Sequence, residues 1–466
     1  MEKRKTVGYN RELFLAIVTL AWPTLLEQML QTLVQYIDAA MVGRIGAAAT
    51  ATVGMSTSVT WLVNGPLFAM GIGFMAFISK SMGAESYDEV RRASVQSILI
   101  AVISGLAVGI LTLLVSPVLP IWMGVEEEIR HDASLYFAII CLPMLFRSAI
   151  IIFGAVLRAV GETKLPMIVN VCMNIANIIL NYIFIYDTRM VHIGGKEIQI
   201  FGFGYGAVGA GIGTALSFVV GGILMTIALY KNQYVSPRGC RIRPEREILE
   251  PCIRVGFPVA MERMATCLGH VVFASLVTGL GTVAFAAHSI ALTVEQAFYI
   301  PGYGMQTAAA TLAGNAIGAK DQKRLRELTK MLIFMILVIM TVSGALLFLL
   351  APQLLAIFTK DTEVIALGTV VLRMVAVSEP LFGVLIILEG IFNGVGDTVK
   401  PFYYALFSMW GVRVFLTFLC VNVFHLGLYA IWACMIANNV CLGTLFVIRY
   451  IRGEWNPLNK KADALV

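Results

Sequence analysis

An all-α integral membrane protein, with twelve transmembrane helices in two pseudo-symmetric six-helix lobes, is the fold class this sequence predicts. Three observations carry that prediction. Only 13% of the 466 residues are charged and the mean hydropathy is +0.84, whereas a soluble domain is about 25% charged because its surface must be wetted. The apolar residues form continuous runs that match a bilayer, which each helix crosses with ~20 of them. The second half of the chain repeats the first at one fixed offset.

The same numbers exclude other classes. A soluble enzyme has no way to cover a globule of this size with so little charge, and disorder needs low hydrophobicity with high net charge. The net charge of +6 is small and spread over several loops, which argues against nucleic acid as a partner. A β-barrel would show alternating segments of about ten residues rather than continuous runs. Met1-Glu-Lys-Arg-Lys5 is charged, but the apolar segment behind it is full length and lacks a small-residue cleavage site. It therefore reads as a retained helix rather than a signal peptide. The eight cysteines show no CxxC and no paired Cys/His spacing, so they read as small packing side chains rather than a metal site or disulfide framework.

In chain order, spans 12–41 and 48–79 lie between the basic stretch Lys3–Arg11 and Lys80. Span 94–119 follows Arg91 and Arg92, 134–157 ends at Arg158, and 166–186 starts after Lys164. Span 206–230 ends at Lys231. Spans 251–279 and 283–315 lie between Arg246 and Lys320. Span 328–351 follows Lys323, Arg324 and Arg326, 363–392 precedes Lys400, 401–424 follows it, and 427–450 reaches Arg449. The first, second, seventh, eighth and tenth exceed the minimum length, so they must tilt, bend or project from the bilayer. The basic residues orient the bundle. One side carries 25 of them and the other only Arg44, Arg130, Arg189, Lys196 and Lys360. Both termini are therefore expected in the cytoplasm, with the chain in the cytoplasmic (inner) membrane. Lys231–Glu250 is the longest polar stretch and carries Pro237, Gly239, Pro244 and several arginines. It reads as a linker, giving an N-terminal lobe 1–230, a linker loop 231–250, a C-terminal lobe 251–450 and a tail 451–466.

The repeat is explicit. Pro23-Thr-Leu-Leu-Glu27 falls on Pro258-Val-Ala-Met-Glu262 at an offset of 235, and the same offset joins Gly46 to Gly281, Pro66 to Pro301, and Gly83-Ala84 to Gly318-Ala319. It also joins Val160-Gly-Glu-Thr163 to Val395-Gly-Asp-Thr398 and Pro166 to Pro401. Six helices is an even number, so the repeats share one orientation, like the parallel repeats of other secondary transporters. Rocking of two such lobes about a central cleft gives alternating access. The acid and Thr of the Val-Gly-acid-Thr turns are expected to cap the helices that follow.

The chain resembles the MATE family (multidrug and toxic compound extrusion) of cation-coupled antiporters over residues 10–450, closer to its prokaryotic DinF and archaeal-type branch. The carrying motifs are Asp38-x-x-Met-Val-Gly43, Gly-Ala plus charges after the second and eighth spans, Leu157-Arg-Ala-Val-Gly-Glu-Thr163, Asn393-Gly-Val-Gly-Asp-Thr398 and Gly206-Ala-x-Gly-Ala-x-Ile-Gly-Thr214. The resemblance implies a MATE-like fold, export of organic cations and toxic compounds, H⁺ or Na⁺ as coupling ion, no other cofactor, the lipid bilayer as surroundings and a monomeric chain.

Ionisable groups inside spans are functional candidates by default. In the first span Gln28, Gln31, Gln35 and Asp38 recur on one helical face, and in the fifth Asn174, Asn177 and Asn181 do the same. The sixth adds Thr214. Asp38, Asn177, Asn181 and Thr214 offer a carboxylate, two amide carbonyls and a hydroxyl, hard oxygen ligands for Na⁺, or a network around a proton on Asp38. Family members of the archaeal type carry their essential Asp and ion-binding residues at matching positions, with a second Asp where this chain has Asn181. Gln31, Gln35, Asn174, Glu262, Glu295 and Glu379 are candidates for the substrate cleft. Glu27 and Glu262 share a position in both halves, which predicts a shared structural role. Pro23 reads as a helix-entry proline or as a hinge, because proline breaks the backbone ladder.

These features point to a secondary antiporter in which an ion at Asp38 weakens binding of an organic cation, and the substrate reciprocally weakens binding of the ion. A flippase for a lipid or lipid-linked saccharide, from the wider superfamily, is the first alternative. It would need a strongly cationic cleft, and few arginines lie in the spans. A membrane enzyme or receptor has no HExxH, GxSxG or phosphate loop to support it.

Overall fold

A computed structural model describes the backbone of residues 2–193, 196–240 and 243–462. Its helices are α1 (Glu2–Gly43), α2 (Ala47–Gly83), α3 (Tyr87–Val115), α4 (Leu119–Trp122), α5 (Arg130–Cys141), α6 (Met144–Ala159), α7 (Lys164–Ile185) and α8 (Gly206–Lys231) in the first half. The second half holds α9 (Arg246–Thr278), α10 (Thr282–Gly318), α11 (Gln322–Phe358), α12 (Thr362–Val395), α13 (Val399–Leu406), α14 (Phe415–Asn422), α15 (Leu428–Arg452) and α16 (Pro457–Ala462). Among the described residues eleven helices are long and apolar enough to cross a membrane, or twelve when α5 and α6 count as one bent span. Large apolar side chains such as Leu114, Trp122 and Ile357 are more than 70% exposed, as suits a surface solvated by lipid rather than water.

Four local departures from the sequence reading have physical causes. α1 starts about ten residues early, because the Lys-, Arg- and Glu-bearing start continues a good helix-forming sequence beyond the apolar run. The span expected at 134–157 bends by 47° between Cys141 and Met144, where Pro143 supplies no N–H and its ring crowds the preceding turn. The span expected at 401–424 contains a π-helical turn, Phe407–Val414. Between α7 and α8 the chain forms an antiparallel hairpin, β1 (Asp187–Ile193) and β2 (Lys196–Phe203), paired from Asp187↔Phe203 to Ile193↔Lys196. It is the one departure from an all-helical chain among the described residues. Its alternating pattern around Gly194-Gly195 is a hairpin signal that the search for apolar runs passes over; the two glycines lie outside the described residues.

The repeat is written into the backbone. Gly161 and Gly396, 235 apart, both take φ near +85°, at +83° and +87°, and end α6 and α12 in the left-handed conformation that glycine adopts without strain. Glu85 and Lys320, also 235 apart, are left-handed at φ 57° and 55°. The capping expectation holds in part. Glu162 Oε1 accepts from Leu165 N at 3.2 Å, but Thr163 and Thr398 make no side-chain cap. Thr398 Oγ1 instead donates to Val255 O at 2.9 Å, and Asp397 takes a bidentate pair from Arg449 at 2.6 and 2.7 Å.

The chain divides into two compact units. One unit joins residues 251–466 with 1–25 and 75–86; the other comprises 26–74 and 87–250. In the first unit Leu13, Ile17, Leu20 and Ala21 of α1 share a core with Met305, Ala308 and Leu312 of α10 and Ile387 and Ile391 of α12. Thr24 Oγ1 donates to Gly304 O at 2.9 Å. α2 and α10 cross where a side chain at Gly83 would strike the Asn315 carbonyl and one at Gly318 the Lys80 carbonyl, two contacts exchanged by the 235 offset. The second unit has its own core of Val42, Leu67, Tyr136, Phe137, Met144, Ile185 and Ala210. The linker belongs to this unit. Arg92 pairs with Glu245, Gln96 Nε2 donates to Arg243 O at 2.7 Å, and Tyr87 stacks on Tyr234 at 5.6 Å.

Gly318→Val should push α10 off α2. Overpacking of this kind costs about 1–3 kcal/mol, so a lower Tm of the purified chain is expected. An unchanged Tm would show that the crossing yields without cost.

Candidate ion-binding site

The site forms in the second unit, where α7 and α8 lie against the C-terminal part of α1. Asn181, 1% exposed, donates from Nδ2 to Asp38 Oδ1 at 2.8 Å. Asn177, 4% exposed, lies one turn earlier on α7 and reaches Thr214 Oγ1 of α8 at 3.2 Å. The two orientations of the Asn177 amide differ in what they satisfy. With its nitrogen toward Thr214, its carbonyl accepts from Asn181 at 3.3 Å. Turned over, the nitrogen donates to both Asp38 oxygens at 3.0 and 3.2 Å while the carbonyl accepts from Thr214. The second arrangement suits an ionised Asp38, which can only accept.

The structure brings together these four side chains, which the sequence reading groups. That reading does not single out Gly213 or Tyr136. A Cβ at Gly213 would strike Asn181 Oδ1, so glycine there lets α8 approach α7 beside the site; the signal was the Gly/Ala-rich motif ending at Thr214. Tyr136 of α5 is 7% exposed and lies within the electrostatic field of Asp38. Only fold-level proximity brings it there.

The oxygen-bearing groups of the cluster are of the chemical kind that hard cations take as ligands. Asn181 Oδ1 is buried and has no hydrogen-bond partner among the described residues. The Asp38 carboxylate, the Asn181 amide and the Thr214 hydroxyl put oxygen groups on three helices, with Asn181 turning its Nδ2 toward Asp38 and its Oδ1 toward Gly213. Hard cations such as Na⁺ take oxygen ligands of this kind, and a proton on Asp38 needs only one acceptor.

The remaining candidates lie elsewhere. Gln31 and Gln35 are exposed on α1 and Asn174 is half-buried on α7, outside the hydrogen-bonded set. Glu262, Glu295 and Glu379 belong to the other unit. Pro23 is buried within a helix that continues through it, two residues before α1 passes from one unit to the other. The shared role expected of Glu27 and Glu262 does not hold. Glu27 pairs with Arg158 at 3.2 Å and accepts from Asn170 at 2.8 Å, but the offset replaces those partners by Asn393 and Ala405. Glu262 has Arg263 and Glu389 as its charged neighbours instead, with Arg263 4.0 Å from Glu389.

Two outcomes follow from this geometry. Gly213→Leu should displace Asn181 and, since overpacking costs about 1–3 kcal/mol, lower the Tm with Asp38 intact; an unchanged Tm would show that the contact of α8 with α7 yields without cost. Arg158→Gln leaves Glu27 without its cation, which costs about 1–3 kcal/mol for a mostly buried acceptor and should appear as a lower Tm.

Comparison with known proteins agrees with the repeat. The MatE family model matches residues 23–183 and 258–419, two copies whose starts are again 235 apart. A probable multidrug resistance protein NorM of Thermotoga maritima is 29% identical over 440 residues, covering 94% of this chain and 92% of its own. The multidrug export protein MepA of Staphylococcus saprophyticus is 26% identical, covering 83% and 84%. Among solved structures, a MATE in its straight conformation is 24% identical over 96% of both chains, with a TM-score of 0.86. A MOP superfamily transporter from Pyrococcus furiosus, also 24% identical, covers 95% and 96% at a TM-score of 0.85. The chain belongs to the MatE family of membrane transporters.

Proposed function

We propose that the chain is an ion-coupled antiporter that exports organic cations and other toxic compounds, with Asp38 as the coupling carboxylate. The observation that carries this reading is the convergence on Asp38 of Asn181 and Asn177 from α7, with Thr214 of α8 bonded to Asn177 behind them. The names of the relatives from Thermotoga maritima and Staphylococcus saprophyticus support multidrug export.

Binding of H⁺ or Na⁺ neutralises Asp38. Once it is protonated, the carboxyl becomes a donor, and the Asn177 amide turns its oxygen toward it and its nitrogen toward Thr214. The charge of the ion thus changes how α1, α7 and α8 are tied together. A cationic substrate favours the ionised form and an ion disfavours the substrate, so each expels the other. Pro23 serves as the hinge of α1, supported by its place beside the boundary of the two units. The moving bodies are the two repeats, 1–230 and 251–450, joined by the linker 231–250. The chain acts as a monomer in the cytoplasmic membrane with both termini in the cytoplasm, as the bias of basic residues requires.

Asp38→Asn should abolish resistance to cationic dyes while leaving the amount of folded protein in the membrane unchanged. Undiminished efflux would remove Asp38 from the mechanism. Efflux into vesicles under a H⁺ gradient alone and a Na⁺ gradient alone identifies the ion: only one gradient should drive uptake, and Asp38→Asn should lose that response.

A further inference from the structure

Two of the eight cysteines meet. Cys420 Sγ of α14 and Cys434 Sγ of α15 lie 3.7 Å apart, a contact in which one thiol donates weakly to the other. The partners are 14 residues apart on successive helices, so sequence spacing alone gives no sign of a pair. Among the described residues no other two thiols are in hydrogen-bond contact.

Both thiols belong to the unit that holds the C-terminal repeat. Cys420 sits in the last turn of α14 and Cys434 in the second turn of α15. The connection 423–427 folds back onto α14. Val423 N and Phe424 N both donate to Leu419 O at 3.0 Å, and Leu426 N donates to Cys420 O at 2.7 Å. His425 makes the reversal in the left-handed conformation, at φ 51°. The turn therefore holds Cys420 against the start of α15. Deeper in the two spans, Ser408 Oγ reaches Asn438 O and Oδ1 at 2.9 and 2.8 Å. Between α14 itself and α15, the thiol contact is the one polar tie among the described residues.

The two sulfurs differ in access. Cys420 is half-buried, whereas Cys434 is 6% exposed. Disulfide exchange needs such a division, a thiolate that an oxidant can reach and a second thiol beside it that completes the bond. We propose that Cys420 and Cys434 form a redox modification site, a dithiol that a disulfide-bearing oxidant converts into an intramolecular disulfide joining the ends of α14 and α15. The Cys420 thiolate attacks the oxidant's disulfide, forms a mixed disulfide and releases one thiolate. The Cys434 thiolate then attacks Cys420 Sγ and expels the second. Two electrons pass to the oxidant, and the two cysteine protons end on its two thiols. A bond needs the sulfurs at about 2.05 Å, a closure that side-chain rotation at both residues has to supply. The orientation proposed above puts the turn 423–427 on the outer side of the membrane, and the oxidised state in cells rests on that reading. Disulfides persist on that side, whereas cytoplasmic thiols are kept reduced.

The test uses the full chain, purified reduced in lipid nanodiscs, incubated with oxidised glutathione, quenched with acid and alkylated with N-ethylmaleimide. Peptide mass spectrometry should find Cys420 and Cys434 unalkylated, with the loss of two hydrogens, and both alkylated after dithiothreitol. In Cys434→Ser the exchange stops halfway, so Cys420 should carry one glutathione. The bonded chain should have a higher Tm than the reduced one, and that difference should vanish in Cys420→Ser/Cys434→Ser. Two alkylated cysteines after oxidation, or one Tm for both states, would overturn the proposal. In intact cells grown in air the same alkylation should find the pair bonded. A membrane-impermeant maleimide applied to His425→Cys in the Cys420→Ser/Cys434→Ser background reads the side independently. Labelling from outside together with a reduced pair in cells would also overturn the proposal. Failure to label from outside would contradict the orientation alone, and the purified chain still decides the pair.

Discussion

The proposed function rests on the difficulty of keeping a carboxylate inside a membrane span. A charge at the centre of a spanning helix costs about 2.5–3.5 kcal/mol on the insertion scale, so an acid survives there only where donors or a cation meet it. Asp38 is met by amide nitrogens. Asn181 is positioned by the close approach of α8 at Gly213, and Asn177 by its place one turn away on the same face. The glycine-rich start of α8 is therefore as much a part of the cluster as its polar side chains are. Without the close helix contact, the amides would not reach the carboxylate together.

The duplicated chain uses one scaffold for different chemistry in its two halves. The turns, left-handed residues and crossing glycines are kept at the 235 offset, because backbone geometry needs them in both copies. The polar residues of the Asp38 cluster and the partners of Glu27 are not kept. Asp38 becomes Phe273, and the partners of Glu27 become Asn393 and Ala405. Glu262 accordingly stands among Arg263 and Glu389, while Glu27 is tied to Arg158 and Asn170. A shared fold therefore does not carry a shared site, and each half must be read from its own side chains.

Much of this was legible in the sequence, and the limits are instructive. Spans, orientation and repeat follow from hydropathy, basic residues and a constant offset, which are local or additive signals. The polar cluster was legible because Asp38, Asn177, Asn181 and Thr214 lie at helical spacing on spans where polar groups are costly. Gly213 and Tyr136 were not, since each depends on which helices pack together. The bend at Pro143 and the hairpin at Asp187–Phe203 were missed for a simpler reason. A search for continuous apolar runs overlooks both a break inside a run and the alternation of a short strand pair.

The central claim is that ion and substrate compete through Asp38. Calorimetric titration of the purified chain with tetraphenylphosphonium, at stepped concentrations of the coupling ion, tests it directly. Affinity should fall about tenfold for each tenfold rise in that ion, as one ion displaced per substrate requires, and should lose this dependence in Asp38→Asn. An equally steep dependence in Asp38→Asn would contradict the account.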